Sequence, residues 1–266
     1  MERERIKICV MRVGGTNRDA DAAVCLEDQG AIVEVLHLND VLRRRNLNSY
    51  DGLVFPGGFA YGDYVRAGAI WAKRIRASLR EDLNTFVQSG KPVLGICNGF
   101  QVLIETGLLP TPDFSEDSKV ALAGNSSGKF ECRWINLKAA SDSNCVFTKG
   151  VSQIMKFPIA HGEGRFIAQD KETYSNLEKN HQVALQYCDD SGLPADKRYP
   201  ANPNGSEFDI AGICNESGNV LGLMPHPEDA YWGYQTPDWP EKQEIPQFGD
   251  GKEIFRAMVD YVQNNF

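Results

Sequence analysis

The stretch Val93-Leu94-Gly95-Ile96-Cys97-Asn98-Gly99-Phe100-Gln101 constrains the fold of this chain most. It begins as a short apolar strand after Lys91-Pro92. It then passes through Gly-X-Cys-X-Gly into Phe100, Val102, Leu103 and Ile104, which read as helix. A reactive side chain framed by glycines between a strand and a helix is a nucleophile elbow with Cys in place of Ser. The turn is sharp, so its neighbours must be small, and Gly95 and Gly99 meet that need. The following helix aims its first amides at the sulfur, which favours a thiolate and a nearby oxyanion. The competing reading is a buried structural cysteine, the usual state of an unpaired one.

An elbow of this kind stands on a sheet, and the preceding residues supply one. Residues 6–13 read as a first strand, 14–17 as a turn and 19–28 as a helix stopped at Gly30. Residues 31–36 and 52–55 read as two more strands. Residues 70–87 form an amphipathic helical stretch with room for one break, closed by Gly90-Lys91-Pro92. This alternation predicts an α/β fold with a mostly parallel sheet and helices on both faces, flavodoxin-like in arrangement. After the elbow helix, Gly107, Pro110 and Pro112 end the element, and the polar residues 112–128 read as a mobile loop. From Phe130 onward, short apolar runs at 134–137, 146–147, 154–159, 166–167, 183–187, 210–214 and 220–224 predict further strands, some antiparallel. No repeat or linker interrupts them, so residues 1–266 are expected to form one domain. Residues 231–249, rich in Trp, Pro, Gln and acids, read as a functional loop or lid. Residues 251–266 read as a closing amphipathic helix.

Composition excludes several classes. The 266 residues carry a net charge of −8, which argues against a nucleic-acid surface. No apolar run is long enough to cross a membrane or form a signal-peptide core. The seven cysteines are scattered with no C-x-x-C pair, so no zinc site or redox pair is expected. A reduced, cytoplasmic protein is the expectation.

A cysteine nucleophile needs an acid–base partner. The histidines are His37, His161, His181 and His226. His37 and His181 read as surface or capping residues. His226 lies in Met224-Pro225-His226-Pro227-Glu228, where two prolines favour extended backbone. In extended chain, residues two apart project together, so Glu228 could orient the imidazole and support its charge, the logic of a triad. The alternative is a proline-rich loop with incidental charge. Pro56-Gly57-Gly58 closes the third strand, where backbone can approach a ligand at the carboxyl edge of the sheet. A plain turn is the alternative there.

Together these segments resemble the class I (triad) glutamine amidotransferases. The resemblance rests on G-x-C-x-G-x-Q at 95–101 and His226-Pro227-Glu228 downstream. Pro56-Gly57-Gly58-Phe59, Tyr61-Gly62-Asp63-Tyr64, Arg66-Ala67-Gly68, the run from Pro158 to Phe166 and Asn202-Pro203-Asn204-Gly205-Ser206 are similar to one branch of that class. That branch serves as the glutaminase subunit of phosphoribosylformylglycinamidine synthase. The resemblance implies that Cys97 attacks the side-chain amide of L-glutamine and that the oxyanion sits on the backbone N–H groups of Gly58 and Asn98. It implies that His226 moves the protons and Glu228 holds His226. It assigns substrate contacts to Gly57, Gln101, His161, Gly162 and Glu163, with His161 open to an interface or strand-capping role instead.

The resemblance also implies partners: a large synthetase subunit that takes the ammonia and a small bridging subunit. This chain has no Walker loop, so ATP and Mg²⁺ belong to the partner, and no cofactor or metal is expected here. The competing readings are an amidotransferase serving a different synthase, a stand-alone cysteine hydrolase of the same fold, and a non-catalytic regulatory subunit.

Overall fold

In the computed structural model, residues 6–115, 118–151, 153–241 and 244–266 are described. In chain order the elements are β1 (Lys7–Arg12), α1 (Asp19–Asp28), β2 (Ile32–His37), α2 (Leu38–Arg44), β3 (Gly52–Phe55), α3 (Ala69–Ser78), α4 (Arg80–Gln88), β4 (Val93–Ile96) and α5 (Asn98–Thr106). Then follow β5 (Val120–Gly124), β6 (Glu131–Ala139), β7 (Met155–His161), β8 (Glu163–Ala168), α6 (Lys171–Lys179), β9 (Val183–Cys188), β10 (Ile210–Cys214), β11 (Val220–Leu223) and α7 (Lys252–Asn265).

A nine-stranded sheet runs in the order β2-β1-β3-β4-β11-β10-β9-β6-β7. From β2 through β11 every pairing is parallel, and from β11 to β7 every pairing is antiparallel. The observed architecture is therefore an α/β fold whose parallel half-sheet is extended by antiparallel strands. The central strands β3, β4, β10 and β11 are buried along their whole length, as strands covered on both faces must be. Their short, unbroken apolar runs made them legible. The edge strand β2 alternates less cleanly and is largely exposed.

Several expectations are corrected. Residues 112–128 are not simply a loop: they contain β5, which pairs antiparallel with β8 in a separate two-stranded sheet, while residues 116–117 lie outside the described residues. Val146 and Phe147 form a turn rather than a strand, with the Val146 N–H on the Gly218 carbonyl at 3.0 Å. Phe147 is apolar because it is wholly buried. The 70–87 stretch does break once, at Leu79, which ends α3 and begins α4.

Two helices escaped the sequence reading. In α2, His37 acts as N-cap by accepting from the Asn39 N–H at 3.1 Å. In α6, Asp170 caps by accepting from the Thr173 N–H at 2.8 Å, but only Thr173 and Leu177 are buried, too few for a visible period. The 231–249 segment packs on the body of the protein. Tyr231 lies edge-on to Trp232 and Phe255, and its hydroxyl donates to Asp28 at 2.5 Å. Residues 242–243 of that segment lie outside the described residues.

Candidate active site

The elbow is real. Cys97 sits at φ 50°, ψ −104°, a conformation that L residues avoid, between the end of β4 and the start of α5. It survives because its surroundings leave no alternative. The Cys97 N–H donates to the Leu223 carbonyl on β11 at 2.8 Å, and the Gln101 N–H closes the first helical turn onto the Cys97 carbonyl at 3.1 Å. A Cβ on Gly99 would fall on the Phe55 carbonyl oxygen, and one on Gly95 would lie 2.5 Å from Leu103 Cδ1. Both glycines are therefore demanded by close approach, as the sequence suggested.

The strand beside the elbow brings the histidine. β11 pairs in parallel with β4, Leu223 opposite Ile96, so the chain leaving β11 rises next to Cys97. The His226 N–H is fixed to the Pro158 carbonyl at 2.9 Å. Its Nδ1 meets Glu228 Oε1 at 2.7 Å, with both side chains buried. The expected pair forms, although not by the expected route. His226 is extended, but Pro227–Ala230 is a 3₁₀ turn, and Glu228 reaches the ring from within it. The Gln235 amide donates to the Glu228 carbonyl at 3.1 Å and braces that turn.

Burial alone would keep His226 neutral. The charge of Glu228 first, and the neighbouring Cys97 second, overcome it, and the imidazole pKa is raised well above its ordinary value. With Nδ1 committed to Glu228, Nε2 is the buried ring atom left without a hydrogen-bond partner. Asp229 completes a group whose ligand atoms lie within 4.8 Å of one another, spacing that could also suit a metal. Here, however, Asp229 already pairs with Arg18 at 3.3 Å, and Glu228 holds the Nδ1 of His226.

A cleft of about 130 Å³ opens in front of Cys97. This is far smaller than the ~300–1,000 Å³ of drug-sized sites and is on the scale of one amino acid. Gly58, Gln101, His161, Gly162 and Glu163 line it. Gly57 does not. A Cβ there would come 2.9 Å from His226 Cε1, so its bareness serves the imidazole. Asn98 does not line the cleft, but its side chain braces residues that do: Oδ1 accepts from the Ala60 N–H at 3.2 Å and Nδ2 donates to Gln101 Oε1 at 2.9 Å. The Gln101 amide in turn donates to the Glu163 carbonyl. One chain of hydrogen bonds thus ties the elbow to both walls of the cleft.

The oxyanion candidates are backbone groups. Asn98 is the first residue of α5, where amides lack helical partners. Gly58 sits at φ 144°, and the bridge that joins it to Thr16 uses the Phe59 and Asn17 N–H groups, not its own.

His161 ends β7 at the point where the chain leaves the large sheet for the small one. It is buried, and its Nδ1 lies 3.1 Å from Asn125 Oδ1. The Asn125 amide nitrogen donates to the His161 and Lys129 carbonyls at 2.8 and 2.9 Å, so Oδ1 is the acceptor and Nδ1 carries the proton. Burial, aided by the nearby His226 charge, lowers the His161 pKa to about 3. Its Nε2 is therefore a bare, unpartnered acceptor.

The sequence reading gave no site role to four residues of the cleft wall, Phe59, Asp63, Ala67 and Phe130. The two phenyl rings stack with centroids 6.4 Å apart and are half exposed. It also missed Asn125. Nothing local to Asn125 marks it, because its role depends on a strand pairing across the fold.

Of the remaining histidines, His37 caps a helix and His181 is exposed beside Asp142 at 3.3 Å, both as read from sequence. Among the described residues, no helix is long and apolar enough to cross a membrane.

Comparison with known proteins agrees with this geometry. The sequence matches the CobB/CobQ-like glutamine amidotransferase domain over residues 5–262. It is 43% identical to phosphoribosylformylglycinamidine synthase subunit PurQ of Methanococcus maripaludis, over 96% of this chain and 97% of that one. It is 43% identical to the PurQ subunit of Archaeoglobus fulgidus over 99% of each chain. A chain in a structure of PurLQS from Thermotoga maritima superposes with a TM-score of 0.72 at 35% identity, covering 97% of this chain and 99% of that one. With an elbow cysteine, a buried His–Glu pair just beyond the end of the neighbouring strand and relatives spanning nearly its full length, the chain belongs to the glutamine amidotransferase family.

Proposed function

We infer that this chain is the glutaminase subunit of phosphoribosylformylglycinamidine synthase. It hydrolyses glutamine to glutamate and ammonia and passes the ammonia to a large synthetase subunit. The observation that carries the chemistry is Cys97 on a strained elbow beside the buried His226–Glu228 pair. The PurQ relatives carry the choice of synthase.

The steps follow from the residues. A thiolate at Cys97 faces an imidazolium at His226 whose charge Glu228 supports. The sulfur attacks the side-chain carbonyl carbon of glutamine, and the developing oxyanion is received by the N–H groups of Gly58 and Asn98. Such donors contribute on the order of 3 kcal/mol each. Nε2 of His226 gives its proton to the departing nitrogen, the C–N bond breaks and ammonia leaves behind a thioester. His226, now neutral, takes a proton from the water that hydrolyses the thioester. Glu228 remains ionised throughout and keeps the ring's tautomer and orientation. Gln101, Gly162, Glu163 and His161 surround the amino-acid end of the substrate, while Gly57 leaves space for the imidazole.

The synthetase partner, joined through a small bridging subunit, supplies ATP and Mg²⁺ and converts formylglycinamide ribonucleotide to the amidine. This chain works without a cofactor of its own. The seven unpaired cysteines suit a cytoplasmic enzyme.

The test is ammonia release from glutamine by the purified chain, alone and with the matching synthetase subunits, ATP and formylglycinamide ribonucleotide. Low activity alone, a large rise in the complex and its abolition by Cys97→Ser are expected. Full activity without partners would point to a stand-alone hydrolase, and activity surviving Cys97→Ser would sink the mechanism.

A further inference from the structure

Asp63 stands on the cleft wall, on the loop between β3 and α3, and the reaction as written gives it nothing to do. Its surroundings are unusual for a carboxylate. Among the described residues, no Lys or Arg lines the cleft. The guanidinium nearest in sequence, Arg66, is turned outward onto Glu105, with both nitrogen–oxygen distances at 2.6 Å. The facing charge is instead a second carboxylate, Glu163, whose Oε2 accepts from the Ala67 N–H at 3.1 Å. Burial first, and Glu163 second, push the Asp63 carboxyl up to about 6. The best donor to Asp63 is Asn98 Nδ2 at 3.5 Å, the limit of a hydrogen bond.

An independent feature of the same cleft points to the same kind of ligand. His161 is only 3% exposed, neutral, and holds its Nδ1 proton on Asn125, so its Nε2 is an acceptor with nothing to accept from. Two carboxylates and a bare imidazole nitrogen thus surround one small space. A primary ammonium, with three donors and a positive charge, satisfies this set, whereas a neutral or anionic group does not. The backbone supports a functional reading as well. Tyr61, Asp63 and Val65 all have positive φ (54°, 53° and 75°), and Val65 is β-branched and 86% exposed, so its own packing does not hold it there. Strain of this kind persists where a site requires it.

We propose that Asp63 is the residue that recognises the α-ammonium group of glutamine, with His161 Nε2 accepting a further N–H of the same group. This rests on the glutaminase reading and adds to it a specificity determinant. Asp63 thereby selects α-amino acids over simple primary amides of the same length.

The experiment compares kcat/KM for L-glutamine and for glutaramate, the same amide without the α-amino group, in the complex with the synthetase subunits. Wild-type protein is expected to prefer glutamine by about 10- to 100-fold, the range of one charge-assisted hydrogen bond. In Asp63→Asn that preference collapses toward unity, through a higher KM for glutamine, while glutaramate turnover is unchanged. Asn accepts positive φ as readily as Asp, so the loop can keep its shape. Asp63→Ser, run in parallel, reports the same ratio with a different side chain. Equal losses on both substrates, or an undiminished preference in both variants, would overturn the assignment. Wild-type protein that releases ammonia from neither substrate would instead overturn the glutaminase reading beneath it.

Discussion

Two histidines stand at strand ends beside the same cysteine and are driven to opposite charge states. His226, after β11, and His161, at the end of β7, are 4% and 3% exposed. Each has its Nδ1 held by one side chain and its Nε2 buried without a partner. Burial pushes both toward neutrality. Yet His226 is raised well above the ordinary imidazole value and His161 is lowered to about 3. The difference lies in the partner: Glu228 brings a charge and Asn125 brings only a dipole. The two are also coupled, because the charge on His226 is the second reason why His161 stays neutral. The lesson is that burial does not decide the chemistry of a histidine here. A carboxylate rather than an amide behind the ring separates a proton donor from an acceptor.

The largest effect comes from giving His226 the kind of partner that His161 has. Glu228→Gln removes the charge and keeps the shape, and burial should then discharge the ring. Glutamine turnover is expected to fall by on the order of 10³- to 10⁴-fold, measured as ammonia release in the complex. Retention of a tenth of the activity would show that the carboxylate is not what separates the two rings. The converse change, Asn125→Asp, gives His161 a charged partner. Its ring protons, followed by NMR, should titrate well above 3. The variant also loses the amide donor to two carbonyls and should be destabilised by about 1–3 kcal/mol.

Acid stability sharpens the comparison further, because the two rings carry opposite signs. The folded pKa of His161 lies below its unfolded value, so between pH 6.5 and about 3 the unfolded chain binds the extra proton. Stability from this group is therefore complete above pH 6.5 and falls with acid, by up to about 1.4 kcal/mol per pH unit. His226 is raised, so its contribution is complete below pH 6.5 and is lost as pH climbs through its folded value. Urea unfolding of wild type and Asn125→Asp across pH 4.5–7 should show a shallower acid loss in the variant.

The smallest effect concerns Asp63. Raised from 3.8 to about 6, it binds its proton more tightly when folded, so its charged form lowers stability above pH 6. Solvent screens this partly exposed group, and Asp63→Asn should raise the melting temperature at pH 7.5 only slightly. A drop in melting temperature would count against an uncompensated carboxylate at this position.

What could be read from sequence was what depends on near neighbours. The elbow was legible because its strand, both glycines and its helix lie within fourteen consecutive residues, 93–106. The buried strands β3, β4, β10 and β11 were legible because their runs are continuous. The His226–Glu228 pair was found, although the extended-chain argument for it does not hold through the 3₁₀ turn. Asn125 and β5 were hidden in a polar stretch because their order comes from β8, some forty residues away. Val146-Phe147 shows the reverse error: apolar residues can plug a turn as well as build a strand. Asp63 sat within a quoted motif, but its isolation from cations appears only when Glu163 and Arg66 are placed in space.

The adjacency of β4 and β11 also sets a timetable. Cys97 and its elbow leave the ribosome well before residues 220–228, and at about 5–20 residues per second the interval is on the order of ten seconds. During that interval β4 has β3 on one side and an open edge on the other. The thiol has neither His226 nor the hydrogen bond from its own amide to Leu223. The nascent chain therefore carries an unarmed nucleophile, and glutamine cannot be spent by a half-made subunit. The same strand that arms the cysteine closes the last gap in the parallel half of the sheet, so an interrupted translation product should be catalytically silent and prone to sticking at that edge.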